Sequence, residues 1–251
     1  MKKIAREIIA TLKALGDPAI AEHSQRFFKT GKGEYGEGDK FLGIRVPVIR
    51  AEVKKQVKKH KDEYRGSLKE LRISLLDTAL LLLQSSWHEV RLFALLMMVE
   101  IFRKGSTAEK SAVYKAYLAN TNRVNNWDLV DLSAHYIIGP YLEDKGRKPL
   151  YRLVRSRDLW ERRIAIMSTF HFIRNNDFVD TLAISEILLQ DKEDLIHKAV
   201  GWMLREVGNR HGSAERTFLK KHYKDMPRTM LRYAIEKFPE KERKAWLRGE
   251  V

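Results

Sequence analysis

The 251-residue chain has no cysteine, which excludes a disulfide framework, a Cys-bearing zinc site and a thiol nucleophile, and fits a reducing, cytoplasmic setting. Long apolar runs are missing too. The longest stretches free of Asp, Glu, Lys and Arg, Thr78–His88 and Leu132–Leu142, are eleven residues each, whereas a bilayer span needs about 20. No membrane crossing is expected. Met1–Gly16, where Lys2, Lys3, Arg6, Glu7 and Lys13 interrupt a stripe of Ile4, Ile8, Ile9, Leu12 and Leu15, reads as an amphipathic helix and not a secretory leader. Proline is scarce: six residues, all near expected helix ends or turns. Acids are in deficit, 33 against 48 Lys plus Arg, for a net charge of +15, while 44% apolar content argues against disorder. A packed chain so basic suits an anionic partner, nucleic acid or a membrane surface.

Apolar residues recur at three- and four-residue spacing almost throughout, which predicts an all-α protein. The expected helices cover 2–15, 18–28, 47–60, 68–84, 87–103, 107–119, 126–142, 147–155, 159–175, 178–190, 193–209, 213–224, 228–238 and 240–248. Short connections imply antiparallel neighbours packed in pairs, and 1–251 is read as a single domain. One segment departs from the pattern. Gly31, Gly33, Gly36, Gly38 and Gly43, five of the fourteen glycines, fall within thirteen residues among Glu34, Tyr35, Glu37, Asp39 and Lys40. A loop or short hairpin is expected over 30–44. Residues 31–36 spell G-x-G-x-x-G, yet helical sequence precedes them and no helix opens on the third glycine, so the context of a dinucleotide site is lacking.

The longer helices share a register. Arg91, Arg163, Lys198 and Arg232 each stand shortly before an alanine in an apolar run, at intervals of 72, 35 and 34 residues, and Trp127 falls midway across the first interval. A period of 34–36 residues with two helices per unit is the mark of an α-solenoid. Such a stack, when curved, offers the recurrent basic positions as one basic concave face.

One helical turn beyond the register positions lie Leu95, Asp131, Met167, Trp202 and Glu236. Trp127, Asp131, Arg163, Lys198 and Trp202 are therefore expected on one surface. An apolar core would place Leu or Ile there, and a solvated face Lys and Glu. Plainer readings exist for each. Asp128 follows Asn125-Asn126 and suits a structural role in a first helical turn. Asp131, one turn deeper, has no capping role and by itself reads as a surface acid. Trp202 alone reads as core, although Gly201 before it implies a close approach to the helix. Trp87, Trp160 and Trp246 lack a polar companion in the register and are assigned to the core or to helix ends. No two of the eight histidines stand four residues apart with a carboxylate at metal-ligand spacing, and neither a G-x-S-x-G elbow nor a Walker A sequence occurs, so no metal or cofactor is expected. Lys54, Lys55, Lys58, Lys59, Lys220 and Lys221 are candidate phosphate contacts.

Four strings carry a resemblance: Phe41-Leu-Gly-Ile-Arg-Val-Pro47, Asn126-Trp-Asp-Leu-Val-Asp131, Trp160-Glu-Arg-Arg-Ile-Ala165 and Lys198-Ala-Val-Gly-Trp-Met-Leu-Arg-Glu206. Together they are similar to the AlkD-like, HEAT-like-repeat DNA alkylation repair proteins, over about residues 5–240. The resemblance implies a monofunctional DNA glycosylase, expected to be monomeric, that removes cationic alkylated purines such as N3-methyladenine and N7-methylguanine from duplex DNA without flipping the base. It makes Asp131 the catalytic carboxylate, sets Trp127 and Trp202 against the deoxyribose and has Arg163 hold the backbone. The register adds Lys198, Arg91 and Arg232 as DNA contacts.

The implied chemistry is economical. A cationic purine leaves as a neutral base and needs no general acid, so one carboxylate suffices to stabilise the oxocarbenium-like sugar and orient a water. Two indole faces would add about 0.5–2 kcal/mol each by cation–π attraction. A second expectation comes from the Gly31–Lys40 loop, because some relatives with an inserted hairpin near the start prefer branched DNA and do not act as glycosylases. In that reading Tyr35 probes a junction by stacking. A protein-binding scaffold is a third expectation, which leaves the charge and the Trp/Asp face unexplained.

Overall fold

The computed structural model describes residues 1–251 as sixteen α-helices and two 3-10 turns, with no strand beyond an isolated bridge between Lys40 and Trp87. The chain forms two compact units, Met1–Ser133 and Ala134–Val251.

The first unit holds α1 (Lys2–Ala14), α2 (Pro18–Phe27), α3 (Val46–Glu63), α4 (Leu68–Leu83), α5 (His88–Lys104), α6 (Thr107–Leu118) and α7 (Trp127–Asp131). Helix α5 is its centre. Every residue from His88 to Met98 is buried, and α3, α4, α6 and α7 all pack on it. Local chemistry sets the helix starts. Asp17 accepts from the amides of Ala19 and Ile20 ahead of α2, with Pro18 in the first turn. Ser67 with Glu70 and Ser106 with Glu109 form reciprocal capping boxes at α4 and α6. Glu109 also accepts from Arg72, which ties α6 to α4.

The glycine-rich segment is an irregular loop, and the hairpin alternative does not form. Its own acids fold it back: Glu34 accepts from the Gly31 amide and Glu37 from the Gly33 amide, both at 2.8 Å. The far end is held by the buried Glu89 carboxylate, which takes the amides of Leu42, Gly43 and Ile44 at 2.8, 2.8 and 3.2 Å. Gly43 has φ +82°, and a Cβ there would sit 2.0 Å from the Asp17 carbonyl oxygen. Only glycine fits that turn.

The second unit holds α8 (Ala134–Tyr141), α9 (Lys148–Leu153), α10 (Leu159–Ser168), α11 (Phe170–Arg174), α12 (Val179–Ile187), α13 (Asp194–Gly208), α14 (Gly212–His222), α15 (Arg228–Ala234) and α16 (Glu240–Arg248). Helix α13 is central, packed against α10, α12, α14 and α15. Successive register helices are therefore neighbours, α5 with α7 in the first unit and α10, α13 and α15 in the second. This is the helical-repeat pattern that the 34–36-residue period announced. The close approach implied by Gly201 is real, and the approaching body is α15: a Cβ on Gly201 would lie 2.4 Å from the Met230 carbonyl oxygen and 2.5 Å from Tyr233 Cβ.

Two expected helices are broken. The one spanning 126–142 stops after Asp131, and Ser133, whose hydroxyl donates to the Leu129 carbonyl at 2.5 Å and pairs with Tyr117 Oη at 2.9 Å, ends the first unit. The one spanning 159–175 breaks at Thr169, whose hydroxyl donates to the Ile166 carbonyl at 2.7 Å. In both places a side-chain hydroxyl competes for helix carbonyls, an effect invisible to apolar periodicity.

Candidate functional site

Helix α7 is five residues long, and its cap, Asp128 and the Trp127–Asp131 side divide their tasks. Asn126, fully buried at the N-cap, accepts from the Trp127 amide at 2.8 Å and donates from Nδ2 to Asp39 at 3.5 Å. Asp128 turns inward, accepting from the Leu129 amide and from His88 Nε2, each at 2.8 Å. Trp127 and Asp131, four residues apart, share another side of the helix and are both half-buried. The structural role expected for Asp128 is thus fulfilled through His88 rather than through a cap.

His88 bridges two carboxylates. Its Nδ1 lies 3.2 Å from Asp39, and Arg91 Nη2 donates to the same Asp39 at 2.7 Å. Burial alone would pull the His88 pKa down, but Asp128 and Asp39 push it up to about 9. For Asp39, burial works upward, and the hydrogen bond from His88 with the Arg91 charge outweighs it, leaving the pKa below the usual carboxylate value. Two cations thus balance two carboxylates inside the first unit.

An aromatic column lies beside this cluster. Trp127 stacks on Phe28 (centroids 5.0 Å, planes 14° apart), Phe28 on Phe41 (5.0 Å, 21°) and Phe41 on His88 (4.6 Å, 21°), while Phe27 meets Trp127 edge-on at 5.9 Å. Burial, and then the charge of Asp131, hold the Tyr117 phenol well above its ordinary pKa, against the lowering effect of its hydrogen bond with Ser133.

In the second unit Trp202 is half-buried on α13, its Nε1 donating to Glu206 Oε1 at 3.3 Å. The Phe170 ring is 6.3 Å away, with the guanidinium carbons of Arg174 and Arg210 at 5.8 and 6.0 Å from its centroid. Lys198 is half-buried and pairs with Asp194 at 2.7 Å, and Arg232 is exposed.

Two of the basic register residues are corrected. Arg91 is 2% exposed and committed to Asp39 and the Ser85 carbonyl, so it has no surface to offer a phosphate. Arg163, 4% exposed, donates to the Leu195 carbonyl and braces the start of α13. Tyr35 is half-buried within the folded-back loop. All six candidate lysines, Lys54, Lys55, Lys58, Lys59, Lys220 and Lys221, are exposed, and Lys55, Lys59 and Lys221 also pair with Glu52, Glu7 and Glu186. Sequence reasoning missed the Phe28–Phe41–His88 column and the Asp39–His88–Asp128 bridge. The cue was Asn126 and Asp128 flanking a tryptophan.

The family model described as DNA alkylation repair enzyme matches residues 8–238. The chain belongs to that family. A role in DNA repair, with DNA as the partner, comes with membership of this alkylation repair family. Among solved structures, the chain is similar to a predicted DNA alkylation repair enzyme from Enterococcus faecalis, with a TM-score of 0.67 at 16% identity over 90% of this chain and 97% of that one. It is also similar to AlkD2 from Streptococcus mutans, with a TM-score of 0.52 at 18% identity over 75% of this chain and 90% of that one. At these identities the likeness is one of fold, a helical repeat. No curated protein matches the sequence. No helix of the chain is long and apolar enough to cross a membrane.

Proposed function

We propose that this alkylation repair protein is a monomeric, monofunctional DNA glycosylase that hydrolyses the N-glycosidic bond of cationic alkylated purines, N3-methyladenine and N7-methylguanine, in duplex DNA without flipping the base. The observation that carries the reading is the pairing of Asp131 with Trp127, one turn apart on a short helix whose other acid, Asp128, is already engaged by His88. A ring nitrogen that carries an alkyl group gives the purine a formal positive charge, so the C–N bond breaks with both electrons passing to a base that leaves neutral. Positive charge then grows on the sugar. The Asp131 carboxylate stabilises that charge and orients the attacking water, a task worth roughly 10²–10³ in rate for one well-placed group. The Trp127 indole adds about 0.5–2 kcal/mol by cation–π attraction to the same charge. In the second unit, Trp202, Lys198 and Arg232 contact DNA. Neutral purines lack the charged leaving group and are released slowly.

No observation favours the branched-DNA reading. Glu34 and Glu37 accept from the loop's own amides, Gly36 is buried with its amide on the Lys29 carbonyl and Tyr35 is half-buried, which supports a folded-back loop over a projecting one. The test is release of N7-methylguanine from methylated duplex DNA under single-turnover conditions. A parent protein that binds the DNA and releases no base would abandon the proposal.

A further inference from the structure

Two independent links join α5 to α7, and both run through His88. The first is the hydrogen bond from Nε2 to Asp128 at 2.8 Å. The second is the ring column, in which His88 underlies Phe41, Phe41 underlies Phe28, and Phe28 supports the Trp127 indole. A five-residue helix has too few internal hydrogen bonds to fix its own place, so its contacts decide where it sits. We infer that His88, as an imidazolium, is the positioning residue for the Trp127–Asp131 pair: it locks α7 through Asp128 and the indole through the rings, while its own side chain never meets DNA. Its exposure of 2% excludes direct contact. The link to base release rests on the glycosylase reading, and the link to the placement of α7 does not.

The charges around His88 explain why the protonated ring is needed. Asp39 faces it from the loop, Asp128 from α7 and Arg91 from its own helix, while Arg123, in the 3-10 turn Thr121–Arg123, acts on Arg91 and Asp39 from farther off. Glu89, next in sequence, is occupied by three backbone amides. An imidazolium donates from both nitrogens and satisfies both acids. A neutral imidazole has one donor, so either Asp39 or Asp128 would then face a lone pair in a buried site. Deprotonation therefore releases one side of the bridge.

The experiment compares the full-length parent with His88→Gln, which cannot bridge both carboxylates. The variant should keep duplex affinity within about threefold and lose about 10-fold or more in single-turnover base release. Backbone amide exchange over residues 127–132 should accelerate while that of α13 stays at the parental rate. In the parent, protection of 127–132, corrected for intrinsic exchange, should fall with a midpoint near pH 9 ahead of global unfolding, and this step should be absent from His88→Gln. Should His88→Gln not fold, Asp128→Asn removes the same link and should loosen the same amides, and the parent titration stands by itself. Protection of 127–132 that simply follows global unfolding in the parent, or that is unaltered in the variants, overturns the inference. A parent that shows the step but releases no base leaves the positioning role intact and refutes the glycosylase reading instead.

Discussion

Trp127 lies flat on Phe28, ring centroids 5.0 Å apart and planes 14° from parallel, so one face of the indole is covered by a side chain from the end of α2. Phe28→Ala should remove that support and the column below it. Because Phe28 is only half-buried, the expected loss of stability is about 1–3 kcal/mol, below the usual cost in a full core. Base release should fall further than stability alone accounts for. Urea unfolding and single-turnover release on one preparation check both.

Stability should decline with rising pH for two separable reasons. His88 has a folded pKa of about 9 against a reference of 6.5, so its contribution, about 3 kcal/mol at most, is complete below pH 6.5 and disappears as pH rises through 9. Glu215 is 3% exposed with Oε1 unpartnered, and burial lifts its pKa from 4.5 to about 8, so the fold loses stability as pH rises from about 4.5 to 8 and no more above that. Glu215→Gln should flatten the earlier decline and His88→Gln the later one, as read by denaturant titrations at successive pH values.

Arg91 and Arg232 occupy equivalent register positions and should behave oppositely. Arg91→Ala takes one of two cationic partners from the buried Asp39 carboxylate and should cost about 3–5 kcal/mol of stability. The salt dependence of duplex affinity should not change. Arg232→Ala should leave stability within about 0.5 kcal/mol and lower the slope of log affinity against log salt by about 1.

Gly201→Ala tests the contact between α13 and α15. Its Cβ would meet the Met230 carbonyl oxygen at 2.4 Å and Tyr233 Cβ at 2.5 Å, neither of which can swing aside. The clash, roughly 1–3 kcal/mol, should outweigh the gain of about 1 kcal/mol in helix propensity. Thermal unfolding should show a lower Tm.

Much of this was legible in the sequence because it is local. Apolar spacing and capping residues such as Asp17, Ser67 and Ser106 mark the helices, and the four-residue separation of Trp127 and Asp131 puts them on one helix side wherever that helix sits. What was hidden is non-local. The contacts of Asp39 with His88 and Arg91 span 49 and 52 residues, and no periodicity reports them. Arg91 and Arg163 repeat at solenoid spacing like phosphate-binding residues, yet each meets an oxygen of the protein itself. The breaks at Ser133 and Thr169 arise from single hydroxyls within otherwise continuous apolar patterns.

The most direct measurement is N7-methylguanine release from methylated duplex DNA by the parent and by Asp131→Asn, with enzyme in excess and affinity measured in parallel. The parent should release the base, and Asp131→Asn should lose about 10²–10³-fold in rate while keeping duplex affinity within about threefold. Equal rates for the two proteins, or no release by a parent that binds the DNA, would contradict the glycosylase reading.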